Sequence, residues 1–201
     1  MFSAGGFDYG VADPKKKVYP SGITNVNFED PIFDKHYANP EHENYQHINN
    51  FLEALGVCHT VIAEKKTDKN GKPFVAYNAS SPDELALVNG ARNLGFAFRE
   101  RDEEGDMIID VELPGKAKEV RKYRLLNLIE FDSARKRMTV VVRTPEDKIL
   151  VLCKGADSII EKRLKKGEVY LQKTNSYLKK YANQGLRTLL IARKEIDEEF
   201  Y

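Results

Sequence analysis

Between residues 96 and 155 one β-patterned segment follows another, and no helical stretch separates them. The segments read "FAFRER", "MIIDVEL", "KYRLLNLIEF", "RMTVVVRT" and "KILVLCKG". Parallel neighbours would need a crossover of a dozen or more residues, usually a helix, whereas antiparallel neighbours need only a turn. "TPEDK", residues 144 to 148, is such a turn and joins the last two segments as a hairpin. The expected fold class is therefore α+β, a mainly antiparallel β-sheet flanked by helices.

The helices announce themselves on either side of this run. In "SSPDELALVNGARNLG" Ser81 suits the N-cap, Pro82 the first helical position, and Glu84 the third residue of a capping box. Leu85, Val88, Ala91 and Leu94 form its apolar face, and Gly95 supplies a left-handed stop. Tyr45, Ile48, Phe51, Leu52 and Leu55 make an earlier helical stripe, which Gly56 ends or interrupts. "ADSIIEKRLKK" predicts a short helix, "LQKTNSYLKKYANQ" a longer one stopped by Gly185, and "LRTLLIARKEI" a last strand. "FVAYNAS" predicts a strand, and "TDKNGK" before it a hairpin turn. At the start, "FSAGGFDYG" fits a small hairpin turning at Gly5-Gly6. "VADPKKKVYPSG" predicts an exposed, mobile loop, and residues 11–44 as a whole predict a flexible loop region within a single domain spanning 1–201.

Composition narrows the partners. The charges nearly cancel, 32 basic against 31 acidic, so no global field recruits nucleic acid or anionic lipid, and an anion must be caught by a local cluster. Two cysteines suggest no disulfide framework and point to a reducing compartment. No apolar run approaches the roughly 18 residues needed to span a bilayer, and no signal peptide precedes the first strand. The expectation is a soluble, monomeric piece. There is no GxxxxGK[ST] loop and no GxGxxG after a strand, His36, His42, His47 and His59 lack metal-ligand spacing, and no serine or cysteine sits in an elbow motif.

Four places remain, each with an ordinary structural explanation. Phe131 can be a core aromatic at a strand end, with Arg135, Lys136 and Arg137 a solvated turn. Lys154 can snorkel, Glu84 can be nothing more than a capping residue, and Arg187 can be an exposed strand residue. Taken singly, none of them supports a function.

Taken together, "SSPDELAL", "EFDSARKRMTV", "LCKGAD" and "GLRTL" stand in the order and spacing of the nucleotide-binding domain of P-type ATPases, and the chain resembles that family. The spellings "SPDE", "FDSARKRM" and "KGAD" look like its phospholipid-flippase (type IV) subfamily, and "CHTV" and "FSAGGFDYG" are similar to that group as well. The resemblance covers almost the whole chain and thins between residues 11 and 44.

It implies an ATP site. Phe131 would stack on adenine, a role for which a flat aromatic face is apt. Lys154 would line the base pocket, with Gly155 and Ala156 small enough for close approach of the nucleotide. Lys136 would lie near the nucleotide, Ser133 would be a secondary contact, and Glu84 would accept from the adenine amino group. Arg187, with Thr188 beside it, would reach the phosphates, which suit a planar guanidinium fork. The resemblance further implies an excised module at the cytosolic face of a membrane, inactive alone because the DKTGT aspartate and the Mg2+ ligands of the full enzyme are not in it. Its expected partners are ATP, the phosphorylation and actuator domains of the same chain, and an accessory membrane subunit. A non-catalytic regulatory or interaction module with a degenerate pocket is the alternative.

Overall fold

The computed structural model describes residues 1–10 and 26–201; the loop expected over 11–22 falls outside them. The chain opens with a hairpin of β1 (Phe2–Ala4) and β2 (Phe7–Tyr9). It turns at Gly5 and Gly6, both at positive φ (55° and 80°), as a two-residue hairpin turn requires. Gly5 has a second reason to be glycine, since a Cβ there would fall 1.7 Å from Asn44 Oδ1.

Helix α1 (Pro31–Tyr37) stands where the sequence predicted only loop. Asp30 caps it, its Oδ1 accepting from the Ile32 and Phe33 amides, while its Oδ2 accepts from the Gly10 amide at 2.7 Å. Phe33 and Tyr37 are buried, and Phe33 packs against the rings of Phe2 and Phe28. Seven residues carry too little periodicity to be seen locally, and the aromatic cluster of the first hairpin holds them.

α2 (Tyr45–Val57) follows the predicted stripe, burying Ile48, Leu52 and Leu55. Gly56 lies inside the helix, facing Phe96, so Cys58 rather than Gly56 marks the end. β3 (Ile62–Thr67) and β4 (Pro73–Asn78) form a separate two-stranded hairpin. Asp68 organises its turn by accepting from the Asn70 and Lys72 amides.

α3 (Pro82–Asn93) then leads into β5 (Phe96–Arg101) through Gly95, at φ 98°. After β6 (Met107–Val111), β7 (Glu119–Asp132), β8 (Arg137–Arg143) and β9 (Ile149–Gly155) comes a helical excursion. It consists of α4 (Asp157–Ile160), a 3₁₀ turn over Glu161–Arg163 and α5 (Leu171–Asn183), and β10 (Leu190–Ile196) completes the fold.

The six strands β5 to β10 make one sheet in sequence order, every pair antiparallel, which agrees with the mainly antiparallel sheet expected from the strand succession. One face buries Phe96, Phe98, Ile109, Val140, Val142, Leu150 and Leu152 together with Ile48 and Leu52 of α2 and Val88 and Ala91 of α3. The run "MTVVV" therefore alternates, with Met138, Val140 and Val142 inward and Thr139 and Val141 half-buried. Because the sheet is a meander, the end of β7, the start of β8, the end of β9 and the lead into β10 all meet at one edge. The four sequence motifs fall at that edge or beside it.

Candidate functional site

β7 reaches this edge through an irregularity. Its register against β8 shifts between Ile129, opposite Thr139, and Asp132, opposite Arg137, so Glu130 and Phe131 together face a single residue. A bulge of this kind re-aims side chains. The Phe131 ring is 64% exposed, which removes the core-aromatic explanation. The turn that follows is tied down tightly. Asp132 Oδ1 accepts from the Ala134 and Arg135 amides at 2.7 and 3.0 Å, and those bonds hold its carboxyl below the usual carboxylate range. Lys136 closes the turn with φ 53°, its amide donating to Asp132 O at 2.6 Å. The "DSARKR" cations thus form an ordered, solvent-facing turn, in which Ser133 and Lys136 are exposed.

β9 delivers Lys154 to the core face, paired with Met138 on one side and Ile191 on the other. A lysine there needs a partner, because an unpaired buried ammonium is costly. The partner is Glu84, whose Oε1 accepts from Lys154 Nζ at 3.0 Å, both side chains being only 10% exposed. Glu84 Oε2 accepts from the Thr60 hydroxyl at 2.7 Å. Burial pushes the Glu84 carboxyl up, but the Lys154 charge and the Thr60 bonds outweigh it and leave the group below its ordinary value, hence ionised at neutral pH. The capping box is therefore only half formed. Ser81 Oγ accepts from the Glu84 amide at 3.4 Å, as a cap should, but the Glu84 carboxylate is committed to Lys154 and Thr60.

Gly155 was expected to be small so that a nucleotide could approach. The chain itself supplies a cause: a Cβ there would lie 2.4 Å from Lys136 O and 2.7 Å from Arg137 Cα. The next amide, Ala156, donates to that same Lys136 carbonyl at 3.0 Å, which locks the end of β9 to the turn after Phe131.

Arg187 and Thr188 lie before β10 begins at Leu190, so the predicted final strand starts later than expected. The Arg187 guanidinium is 86% exposed and bridges to Asp83 at 3.0 Å, while Thr188 is half-buried. Asp83 stands in the first turn of α3, directly before Glu84.

Thus Lys154 and Glu84 are joined by a direct contact, the Phe131 turn is fastened to Gly155–Ala156, and Arg187 bridges to α3 through Asp83. The Phe131 ring and the Arg187 guanidinium are both left exposed, while the Lys154–Glu84 pair is buried. Clefts of about 620 and 440 Å³ open at the opposite end of the sheet, lined by residues such as Arg124 with Arg143 and Lys148 with Glu195, away from all four motifs. Sequence reasoning assigned no role to Thr60 or Asp83. Thr60 lies in "CHTV" with no chemical signature of its own, and Asp83 reads as an ordinary first-turn acid favoured by the helix dipole.

Comparison with known proteins shows the family. The family model described as P-type ATPase, cytoplasmic domain N, matches residues 47–201, and the chain belongs to that family. Within it, the similarity is to the phospholipid-transporting ATPases. A probable phospholipid-transporting ATPase 12 of Arabidopsis thaliana is 40% identical over 181 residues, covering 89% of this chain and 15% of the relative. Phospholipid-transporting ATPase FetA of Mus musculus is 38% identical over 193 residues, covering 95% and 14%. Phospholipid-transporting ATPase ID of Homo sapiens is 45% identical over 156 residues, covering 77% and 12%. The chain thus spans about a seventh of the length of these relatives, and among its described residues no helix is long and apolar enough to cross a membrane.

Proposed function

We propose that this domain binds ATP by its adenine base and presents the γ-phosphate to an aspartate on a separate domain of the same chain, within a phospholipid-translocating ATPase. The observation that carries the reading is the Phe131 ring, left 64% exposed on a bulge beside the buried Lys154–Glu84 pair. Exposing a phenylalanine forgoes its burial, roughly 1.5–3 kcal/mol, and a base stacked on the ring recovers that contact. The ionised Glu84 is an acceptor suited to the adenine amino group, and Lys154 keeps it charged. Gly155 keeps the floor tight, Lys136 and Ser133 project from the adjoining turn, and Arg187 with Thr188 faces the phosphate end. Catalysis by such a domain is positioning: it holds the nucleotide while the attacking aspartate is brought into line. Magnesium would be held by the phosphates and by ligands of the other domains. The phosphorylation and actuator domains, a lipid substrate, an accessory membrane subunit and a place at the cytosolic face belong to the same proposal.

The test is titration of the 201-residue chain with ATP, ADP, adenosine and GTP, followed by NMR. Binding should be weak, with Kd on the order of 0.1 to several mM, because a stacked base and a few solvent-exposed phosphate contacts give roughly −3 to −5.5 kcal/mol. ADP should fall within a few-fold of ATP, GTP should bind worse, and no sustained phosphate release should occur. Shifts that avoid Phe131 and Lys154, or GTP binding equal to ATP, would refute the reading.

A further inference from the structure

The chain spends four consecutive residues, Cys58 to Val61, on a connection that looks like nothing more than the link from α2 to β3. Each is anchored. The Cys58 thiol donates to Leu152 O at 3.6 Å. His59 is fully buried and bonded through both ring nitrogens, with Nε2–H donating to Gly56 O at 2.9 Å and Nδ1 accepting from the Val61 amide at 3.1 Å. Arg101 clamps the His59 carbonyl at 3.0 Å, and Val61 is wholly buried. Burial, with the nearby Lys154 and Arg101 charges, pushes the His59 imidazole down to about 3, so this brace stays neutral and unchanged across the physiological range. What the braced segment presents outward is the Thr60 hydroxyl, half-buried and 2.7 Å from Glu84 Oε2.

Lys154 alone would leave the Glu84 carboxylate free to turn about a single contact at Oε1. Thr60 adds its backbone amide and, on Oε2, its hydroxyl, and the hydroxyl bond at 2.7 Å sets the plane of the group. The Lys154 ammonium, the Thr60 hydroxyl and the Thr60 backbone amide occupy three of about four lone-pair positions, so the carboxylate keeps the capacity to accept one more bond from a ligand. We infer that Thr60 is a positioning residue of the base pocket: it orients the Glu84 carboxylate so that its remaining acceptor position selects a purine with an amino donor at position six over one with a carbonyl there. This rests on the adenine-binding reading above and adds to it the residue that sets base selectivity.

The experiment compares Thr60→Val, which keeps the shape and removes the hydroxyl, with Thr60→Ser, which keeps the hydroxyl. Adenosine and GTP titrations are run on each variant and on Glu84→Gln. Thr60→Val should bind adenosine about three- to tenfold more weakly, narrow the ATP-over-GTP preference, and lose little further when combined with Glu84→Gln. Thr60→Ser should restore both affinity and preference. Wild-type adenosine affinity in Thr60→Val, or losses that simply add to those of Glu84→Gln, overturns the inference. Carboxyl ¹³C titration without ligand keeps the two readings separate, because the Glu84 midpoint should rise in Thr60→Val and remain in place in Thr60→Ser. Should the wild-type chain bind no adenosine, the nucleotide reading falls and the selectivity role falls with it. An unmoved midpoint in Thr60→Val then overturns the positioning itself.

Discussion

Replacing Glu84 by glutamine separates a helix cap from a buried ion pair. Were Glu84 only the third residue of a capping box, glutamine would serve as well and stability would not change. The geometry says otherwise, because Ser81 caps α3 through the Glu84 backbone amide, which the substitution leaves in place. What changes is the environment of Lys154. Its ammonium sits 3.0 Å from Glu84 Oε1, with both side chains 10% exposed, and the substitution leaves it facing a neutral amide. Removing one member of a buried pair outright costs about 3–5 kcal/mol. Glutamine still offers an oxygen, so the expected loss is about 1–3 kcal/mol, the scale of a weakened charge-assisted bond. For a chain of this size that is about 2–4 °C in Tm per kcal/mol.

Urea and thermal unfolding at neutral pH measure the loss. A companion variant checks its cause: replacing both partners, Glu84→Leu with Lys154→Met, should recover much of the stability, because an apolar pair of similar volume carries no unpaired charge. The pH dependence has a definite sign. Glu84 is held below its ordinary value of 4.5, so its contribution is fully present above that value and is lost as pH falls through the lower folded one. The stability gap between wild type and Glu84→Gln should therefore be constant near neutrality and close below about pH 4.5. A Glu84→Gln variant that melts with the wild type at pH 7 would show that the carboxylate does no more than a capping residue.

Phe131→Ala should leave stability within about 0.5 kcal/mol, since the ring is exposed, yet cost about 1–3 kcal/mol of ATP affinity. Paired melts and titrations check both halves, and an unfolded variant would contradict the exposure. Gly155→Ala should destabilise by about 1–3 kcal/mol, because the new methyl meets the Lys136 carbonyl. Denaturation at constant m-value tests this, and a silent variant would mean the turn yields freely. Arg187→Ala should weaken ATP and ADP but not adenosine. The loss of its exposed bridge to Asp83 should change stability by less than about 1 kcal/mol. Equal weakening of adenosine would take Arg187 away from the phosphate end.

What the sequence determined was whatever depends on neighbours along the chain. Ser81 and Pro82 start a helix whatever the helix packs against, and Gly5-Gly6 and Asp68 turn the chain by local backbone chemistry alone. The strand succession from 96 to 155 leaves too little chain between strands for parallel crossovers, so an antiparallel sheet was legible before any contact was known. The motif order likewise nominated the residues of the candidate site. Their states were not legible, because each had two uses and only distant partners could choose between them. Phe131 is bare because β7 bulges against β8, a matter of register. Helix α1 exists because the aromatic rings of the first hairpin receive Phe33. Lys154 is buried because Glu84, 70 residues earlier, supplies its countercharge, and the second Glu84 oxygen is held by Thr60, 24 residues before it. Propensity and capping act over a few residues of backbone, whereas a carboxylate's direction and an ammonium's burial are settled by donors and charges that only folding brings within 3 Å.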